Sequence, residues 1–206
     1  MTASEHSAGD ESPPSGPEGG SGRYLVRWAR SAPARPLTQE QLATAGLALG
    51  LHGPGCLDLK KSHHDDVAGD PWYLWSGRCR GAWAVSFRPV AGILDPGAGA
   101  CVRWRAWQSG GHCLRLVLEH AREGWLVSAQ GDGAAAGWRE FGLELRSVAW
   151  HRLDIGTVAP GAALAGIRLD HLRAFGVADL EAGGGSAACS RLDWLEFRMA
   201  APQVRA

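Results

Sequence analysis

The sequence predicts an all-β protein, an antiparallel and jelly-roll-like β-sandwich, and three observations support this fold class. From Cys56 onward the chain consists of short apolar runs, which Gly, Asp and Pro separate at the spacing typical of sandwiches and barrels. Several runs alternate apolar and polar residues, as half-buried antiparallel strands do. The length of 206 residues and the hydrophobic fraction of 45% suit one domain with a sizeable core and an additional tail.

The two ends of the chain are predicted to be disordered and to flank one domain. Residues 1–22 are rich in Ser, Gly, Pro and Glu and show no apolar periodicity, so they bury too little surface to offset the entropy cost of ordering. We therefore predict a disordered tail over residues 1–22, a β-sandwich domain over residues 23–200 and a disordered C-terminus over residues 201–206.

The domain begins with a predicted strand, followed by a segment that is compatible with one short helix. The strand covers residues 24–28, with the sequence YLVRW. Thr38 is a suitable N-cap, Gln41 follows three residues later as in a capping box, and Gly50 is a stop signal. These signals favour a short helix within residues 38–50.

Alternation and turn signals predict nine further strands. In the third of them Val102, Trp104 and Ala106 share one face, while Arg103 and Trp107 share the other. A strand with one apolar and one polar face fits the surface of a sandwich. The nine predicted strands cover residues 56–61, 83–88, 101–107, 113–120, 125–130, 138–146, 148–155, 169–177 and 190–198.

Neighbouring runs are predicted to pair as hairpins. Opposite charges and a cation–aromatic pair favour one register for the hairpin around Gly110. The predicted opposite pairs are Arg103 with Glu119, Trp107 with Arg115 and, across the four-residue turn 121–124, His120 with Trp125 and Leu118 with Val127. In the last strand the alternation breaks at Trp194, which indicates either two covered faces or a β-bulge.

The overall composition argues against several classes of protein. Lys+Arg and Asp+Glu are both 21, and a formal net charge of zero argues against a nucleic-acid binder or a polybasic membrane ligand. No apolar stretch has the length of a transmembrane helix, and no signal peptide is visible. We expect a cytoplasmic protein with reduced thiols as the chain is written, or an extracellular one if its start is truncated. The oligomeric state stays open.

The C-terminal third carries a resemblance to a known class of protein. It contains WHRLDIGTV from Trp150, then LDHLRAFGVADL, a loop of small residues and the closing strand RLDWLEF. These segments resemble the closing strands of jelly-roll carbohydrate-binding modules and galactose-binding-like domains, and those of bacterial β-sandwich proteins. The resemblance implies glycan recognition by aromatic side chains. It also implies a structural calcium held by an acidic residue of the last strand, for which Asp193 is the matching position.

Tryptophan is the most unusual feature of the composition. Ten tryptophans against two tyrosines exceed what one sandwich core needs, so some indoles are expected on a surface or in a groove, where they can stack on the C–H face of a sugar. The predicted ligand-binding residues are Trp72, Tyr73, Trp75, Arg78, Arg103 and Trp107. The alternative is that the first three rings close one end of the core and that Trp107 lies on a solvated sheet. For Trp138 both interpretations stay open.

The densest polar cluster of the chain lies between Lys60 and Asp70. The carboxylates of Asp65, Asp66 and Asp70 are hard oxygen ligands that suit calcium, and Asp193 joins them through the resemblance. The alternative is a solvated loop with turn-forming aspartates. No other cofactor is predicted.

Three functions follow from these observations. The first is a non-catalytic module that binds a glycan or another small polar ligand, and the second is a carbohydrate-active hydrolase or lyase that uses carboxylates distant in sequence. The third is a protein-interaction or structural domain without a small-molecule ligand. The sequence shows no nucleophile elbow, phosphate-binding loop or zinc-protease motif. Glu140 and Glu144, four strand steps apart, are separated by roughly 13 Å, which exceeds the spacing of paired glycosidase carboxylates.

Overall fold

The computed structural model describes residues 22–200. These residues form two antiparallel β-sheets that pack face to face, so the predicted all-β sandwich is confirmed. Apart from Gly22, the predicted tails 1–22 and 201–206 lie outside the described residues. The strands are β1 (Arg23–Val26), β2 (Leu47–His52), β3 (Lys60–Ser62), β4 (Tyr73–Trp75), β5 (Trp83–Pro89), β6 (Cys101–Ser109), β7 (Leu114–His120), β8 (Gly124–Asp132), β9 (Arg139–Glu144), β10 (Trp150–Asp154), β11 (Ala159–Leu164), β12 (Leu172–Asp179) and β13 (Cys189–Arg198).

The two sheets differ in size and are linked by several crossings of the chain. The six-stranded sheet has the order β3-β4-β13-β6-β9, and β1 pairs with β13 beyond the end of β4. The seven-stranded sheet has the order β11-β10-β8-β7-β12-β5-β2. The central strand of the smaller sheet is therefore the last strand of the described residues.

The core lies between the sheets and is built from the alternating apolar residues that the sequence predicts. Trp104 and Ala106 of β6 point inward, as do Leu116 and Leu118 of β7, and all four are fully buried. Their burial from water is the main favourable term that holds the layers together. The predicted apolar faces of these strands are thus confirmed.

The predicted hairpin between β6 and β7 is wrong. The two strands belong to different sheets: β6 pairs with β13 and β9, and β7 pairs with β8 and β12. Arg103 consequently pairs with Glu140 rather than Glu119, and Arg115 donates to the carbonyl of Ala129. Alternation shows which side of a strand is apolar but not which strand lies beside it, and here the two apolar faces meet across the core.

The hairpin between β7 and β8 is present, but its predicted register is wrong by one residue. His120 lies opposite Gly124 instead of Trp125, and Leu118 lies opposite Leu126. Gly124 has φ +75°, a left-handed conformation that glycine adopts without a steric cost. It closes a three-residue loop, where the sequence had suggested four residues.

The predicted helix within residues 38–50 is also wrong. Only one turn of 3-10 helix forms, over Gln39–Gln41, and the chain then enters β2. The capping contact itself exists, because Gln41 Oε1 accepts a hydrogen bond of 2.8 Å from the backbone N–H of Thr38. The stretch LALGLH of β2 alternates with period two, and pairing with β5 prevails over the helix-start signal.

Besides β2, two further strands, β4 and β11, were not predicted, whereas one irregularity was. β4 and β11 are too short or too poor in β-branched residues to stand out in the sequence. In β13 the register shifts between Leu192 and Trp194, so the predicted bulge is confirmed, with Asp193 as the inserted residue. Because of this bulge, Leu192 and Leu195 both point into the core.

Candidate ligand-binding face

The outer side of the six-stranded sheet gathers side chains from strands that are distant in sequence. Leu74, Ala106 and Leu192 point into the core, so their neighbours in the strands point outward. Arg191 of β13 lies opposite Trp75 of β4 on one side and opposite Trp107 of β6 on the other. An arginine thus stands between two indoles in one row across the sheet.

Aromatic side chains dominate this surface, which we call the aromatic face and define by Tyr73, Trp75, Trp107, Trp138 and Trp194. The rings of Trp107 and Trp138 meet nearly edge to face, with centroids 6.1 Å apart. The ring of Trp138 also packs against that of Tyr73, with centroids 5.3 Å apart. The four indoles are partly exposed, so a ligand can reach them.

Charged groups lie directly beside these rings. The Arg191 guanidinium carbon is 4.4 Å from the centre of the Trp107 ring, and that of Arg105 is 5.3 Å from the centre of the Trp138 ring. Arg105 also donates a hydrogen bond of 2.5 Å to Asp193 Oδ2. Burial raises the pKa of Asp193, and the Arg105 guanidinium opposes that rise.

One end of the aromatic face carries a polar group of three side chains. The Tyr73 hydroxyl lies 3.1 Å from His64 Nδ1, and Asp70 Oδ2 accepts a hydrogen bond of 2.8 Å from the His64 backbone. Burial raises the pKa of Tyr73, so its hydroxyl keeps its proton at neutral pH. Of these three side chains only that of His64 is exposed, so the imidazole is the group that a ligand can reach directly, while Tyr73 and Asp70 hold it in place.

The loop before β9 places Trp138, and a buried carboxylate fixes that loop. Asp132, at the end of β8, is fully buried. It accepts hydrogen bonds from the indole N–H of Trp104 at 3.1 Å and from Nε of Arg139 at 2.8 Å. Since Arg139 directly follows Trp138, this contact sets where β9 begins and where the indole lies.

Four of the ten tryptophans are buried, and the other six are partly exposed. Four of these six belong to the aromatic face. The remaining two are Trp125, on the outer side of the seven-stranded sheet, and Trp72, which packs against the core from its edge. The expected surplus of indoles outside the core therefore exists, and most of it lies on one side of one sheet.

The predicted ligand residues are only partly brought together. Tyr73, Trp75 and Trp107 lie on the aromatic face. Trp72 does not, because it lies two residues before the inward-pointing Leu74 and so on the same side of the chain as Leu74. Its ring stacks on that of His63, with centroids 4.3 Å apart. Arg78 is exposed in the turn after β4.

The arginines predicted near the rings are mostly engaged elsewhere. Arg103 is on the same outer surface but bonded to Glu140. Arg80, two residues after Arg78, donates to Asp58.

Sequence reasoning missed Arg191, Arg105 and Trp194 as a group. Their proximity arises from the pairing of β6 with β13, which joins residues almost ninety positions apart, as the Arg105–Asp193 hydrogen bond shows. Such pairing leaves no local signal in either strand. The one available clue was the broken alternation at Trp194, which turns this indole outward.

The four aspartates predicted to hold calcium do not converge. Asp65 is almost fully exposed and lies 3.1 Å from His63, while Asp70 bonds to His64 and Asp193 to Arg105. Asp66 is exposed in the same loop. Within residues 22–200, no group of three or more His, Cys, Asp or Glu side chains is arranged to hold a metal ion.

A separate cavity of about 560 Å³ lies where the loop after β5 meets β10 and β11. Its walls are mainly apolar and include Val148, Leu164 and Ile167, with Trp150 as the one aromatic side chain. Trp150 is buried, and none of the residues of the aromatic face lines this cavity. The cavity therefore lacks the combination of exposed rings and charged groups that the aromatic face has.

In the part of the chain that the structure describes, no helix has the length and apolar character needed to cross a membrane.

Burial raises the pKa of Cys79 to about 12. Such a thiol is protonated and unreactive at neutral pH. All five cysteines lie within the described residues, and all are free thiols.

Comparison with known proteins gives matches to solved structures alone. No protein-family model and no curated protein sequence matches the chain. The family 11 carbohydrate-binding module of a cellulase from Clostridium thermocellum is 12% identical, with a TM-score of 0.43, over 91% of this chain and 94% of that one.

Two further structures are similar to the same degree. A variant of a family 29 carbohydrate-binding module is 10% identical, with a TM-score of 0.45, over 89% of this chain and 97% of that one. An exo-β-agarase is 8% identical, with a TM-score of 0.45, over 82% of this chain and 25% of the longer enzyme. At these identities and TM-scores, the likeness assigns neither a family nor a ligand to this chain.

Proposed function

We propose that the protein is a non-catalytic glycan-binding module whose ligand lies on the aromatic face. The observation that carries this proposal is the gathering of four partly exposed indoles on one side of one sheet, next to Arg105, Arg191 and Asp193. A chain that needed its indoles only for the core would not place them on the outer surface of a sheet.

The chemistry of this surface matches the two kinds of surface that a sugar ring presents. The C–H faces of a pyranose are apolar and pack on indole rings, while its hydroxyls at the rim need hydrogen-bond donors and acceptors. The Arg105–Asp193 pair and the Tyr73–His64 contact supply both. Because these polar groups already hold one another in place, little side-chain entropy is lost when a ligand binds.

Substitution of the central indoles tests the proposal. We expect Trp107→Ala and Trp138→Ala each to weaken the binding of a glycan by roughly tenfold or more, because each removes a stacking surface. Trp125→Ala is the matched control, since Trp125 is also partly exposed but lies on the outer side of the other sheet. The measurement is titration calorimetry with the best ligand of a glycan panel, together with the melting temperature of each variant.

Two results would overturn this proposal. If no glycan of the panel binds, and Trp107→Ala and Trp138→Ala change only the melting temperature, the aromatic face is a structural surface. Equal losses of affinity in all three tryptophan variants would place the ligand elsewhere or point to a general loss of folding. If no glycan binds, a protein-interaction or structural domain without a small-molecule ligand is the better interpretation.

A glycan hydrolase on the same face is the second candidate, and the raised pKa of Asp193 favours it. A carboxyl group whose pKa is raised is better suited to act as a general acid than one with an ordinary pKa. The hydrogen bond from Arg105 opposes that role, because it stabilises the carboxylate. Release of new reducing ends from a bound glycan, abolished by Asp193→Asn, would replace the non-catalytic proposal.

A further inference from the structure

Arg191 occupies an unusual position for a charged side chain. It is only 7% exposed and lies on the aromatic face between Trp75 and Trp107. Its Nη2 donates a hydrogen bond of 3.0 Å to the carbonyl of Ser186, and its Nη1 lies 3.4 Å from Ser109 Oγ. Both of these acceptors are uncharged.

Arg191 forms no direct ion pair with an acidic side chain of the described residues. Among residues 22–200, no carboxylate lies within 4.0 Å of its guanidinium, whereas Arg103 and Arg105 on the same surface are paired with Glu140 and Asp193. Arginine keeps its charge under all conditions that a folded protein meets. A buried charge without a counterion is costly, and buried arginines are normally paired.

The same row of the sheet carries a second cation. Lys60 lies opposite Trp75, and its Nζ is 5.8 Å from the centre of that indole ring. No ion pair forms between Lys60 and a carboxylate of the described chain. Lys60, Trp75, Arg191 and Trp107 therefore form a row with two positive charges and no negative one.

Arg191 keeps N–H donors that an anion can use. Its guanidinium lies over the Trp107 ring, donates to Ser109 and Ser186, and also approaches the Tyr73 side chain, so two of its five donors remain. The remaining donors lie in the guanidinium plane, which is the arrangement that binds carboxylate or sulfate oxygens in pairs. Stacking orients this plane without consuming donors.

We infer that the glycan bound on the aromatic face is acidic, with its anionic group, a uronate carboxylate or a sulfate ester, held by Arg191 between Trp75 and Trp107. This inference rests on the proposed function and names its class of ligand. Trp75 and Trp107 bind the faces of adjoining sugar rings, while Arg191 selects the charge.

Matched pairs of ligands test the inference. One pair is an oligouronate and its carboxyl-reduced, neutral counterpart, and the other is a sulfated oligosaccharide and its desulfated form. Titration calorimetry is expected to show at least one acidic member binding about tenfold or more tightly than its neutral counterpart, a preference that weakens with added salt. The pair that shows the preference distinguishes carboxylate from sulfate.

Substitution of Arg191 then assigns the preference to one side chain. Arg191→Met retains an apolar chain over Trp107 but no charge, and we expect it to remove the preference while binding of the neutral member changes by less than about twofold. Arg88→Met removes the same charge from the outer side of the other sheet, and it is expected to leave the preference intact. Arg191→Lys keeps the charge without the planar donors, so it is expected to retain part of the preference.

Each outcome is informative. Neutral and acidic glycans that bind equally well to the wild type overturn the acidic ligand but leave the proposed function standing. Equal weakening of both members by Arg191→Met overturns the inference too, because Arg191 then positions the loop at Ser186 and does not bind the anion. If no glycan binds at all, the proposed function fails together with it.

Discussion

Single residues of the aromatic face combine an apolar surface with a charge. Trp107 is the clearest case, since its ring contacts Trp138 at its edge and the Arg191 guanidinium on its face. Asp193 has two effects on this face. Its insertion as a bulge turns Trp194 outward, and its own carboxylate accepts a hydrogen bond from Arg105. The face thus depends on the conformations of a few side chains.

His52 gives a prediction on pH. Burial lowers the pKa of His52 from its ordinary value of 6.5, and His52 Nε2 lies 2.8 Å from Ser86 Oγ. As the pH falls below 6.5, the unfolded chain takes up the proton first, so the stability that the neutral imidazole contributes above 6.5 is lost as the pH falls through the folded value. We expect His52→Gln to reduce the loss of unfolding free energy between about pH 8 and about pH 5.5, as measured by urea unfolding.

The difference in the pH dependence of the unfolding free energy between His52→Gln and the wild type separates the contribution of His52 from that of the other histidines. A pH dependence that is the same in both proteins would contradict the prediction. In that case the acid sensitivity belongs to other groups of the protein.

Among the strands, β13 decides the architecture of the site. It pairs with β6 on one side and with β4 and β1 on the other, and it supplies Arg191, Asp193 and Trp194. It lies in the middle of the six-stranded sheet, so its neighbours β4 and β6 must be in place before the sheet is complete. The aromatic face therefore forms only when the sheet is complete, because no single hairpin contains all of its side chains.

Asp132 links elements of both sheets, and this leads to a prediction on stability. Its carboxylate ends β8 of one sheet and accepts hydrogen bonds from Trp104 of β6 and Arg139 of β9 in the other. Asp132→Ala leaves the buried indole N–H without a partner and is expected to lower the free energy of unfolding by about 2–3 kcal/mol. Asp95→Ala, at an exposed loop position, is the control and is expected to cost less than about 0.5 kcal/mol.

Urea unfolding of both aspartate variants provides the measurement. A cost below about 1 kcal/mol for Asp132→Ala would mean that water replaces the carboxylate and that the Trp138 loop does not depend on it. A folded Asp132→Ala variant also shows whether the position of Trp138 matters for glycan binding, because the loop is then released.

For the molecule as a whole, the space between the sheets holds the core, and the outer side of the six-stranded sheet carries the aromatic face that we propose as the ligand site. The structural calcium stays a prediction at this scale, because an ion that joins loops would stabilise the entire fold. If calcium binds, it raises the melting temperature, and a chelator reverses the rise. The measurement is a thermal scan with calcium and then with EDTA, and an unchanged melting temperature would remove the calcium site.

The sequence by itself determined the fold class, most of the strands and the residues of the core, because these follow from local alternation and turn chemistry. Trp104, Leu116 and Leu118 were placed correctly for this reason. The excess of tryptophan was also sufficient to predict that indoles lie outside the core.

The tertiary structure decided which strands are neighbours. It separated β6 from β7 into different sheets, placed Trp72 against the core, and brought Arg191 between Trp75 and Trp107. The physical reason is that alternation with period two tells which side of a strand faces the core but carries no information on its partner. Pairing between strands far apart in sequence is selected by the packing of the whole sandwich.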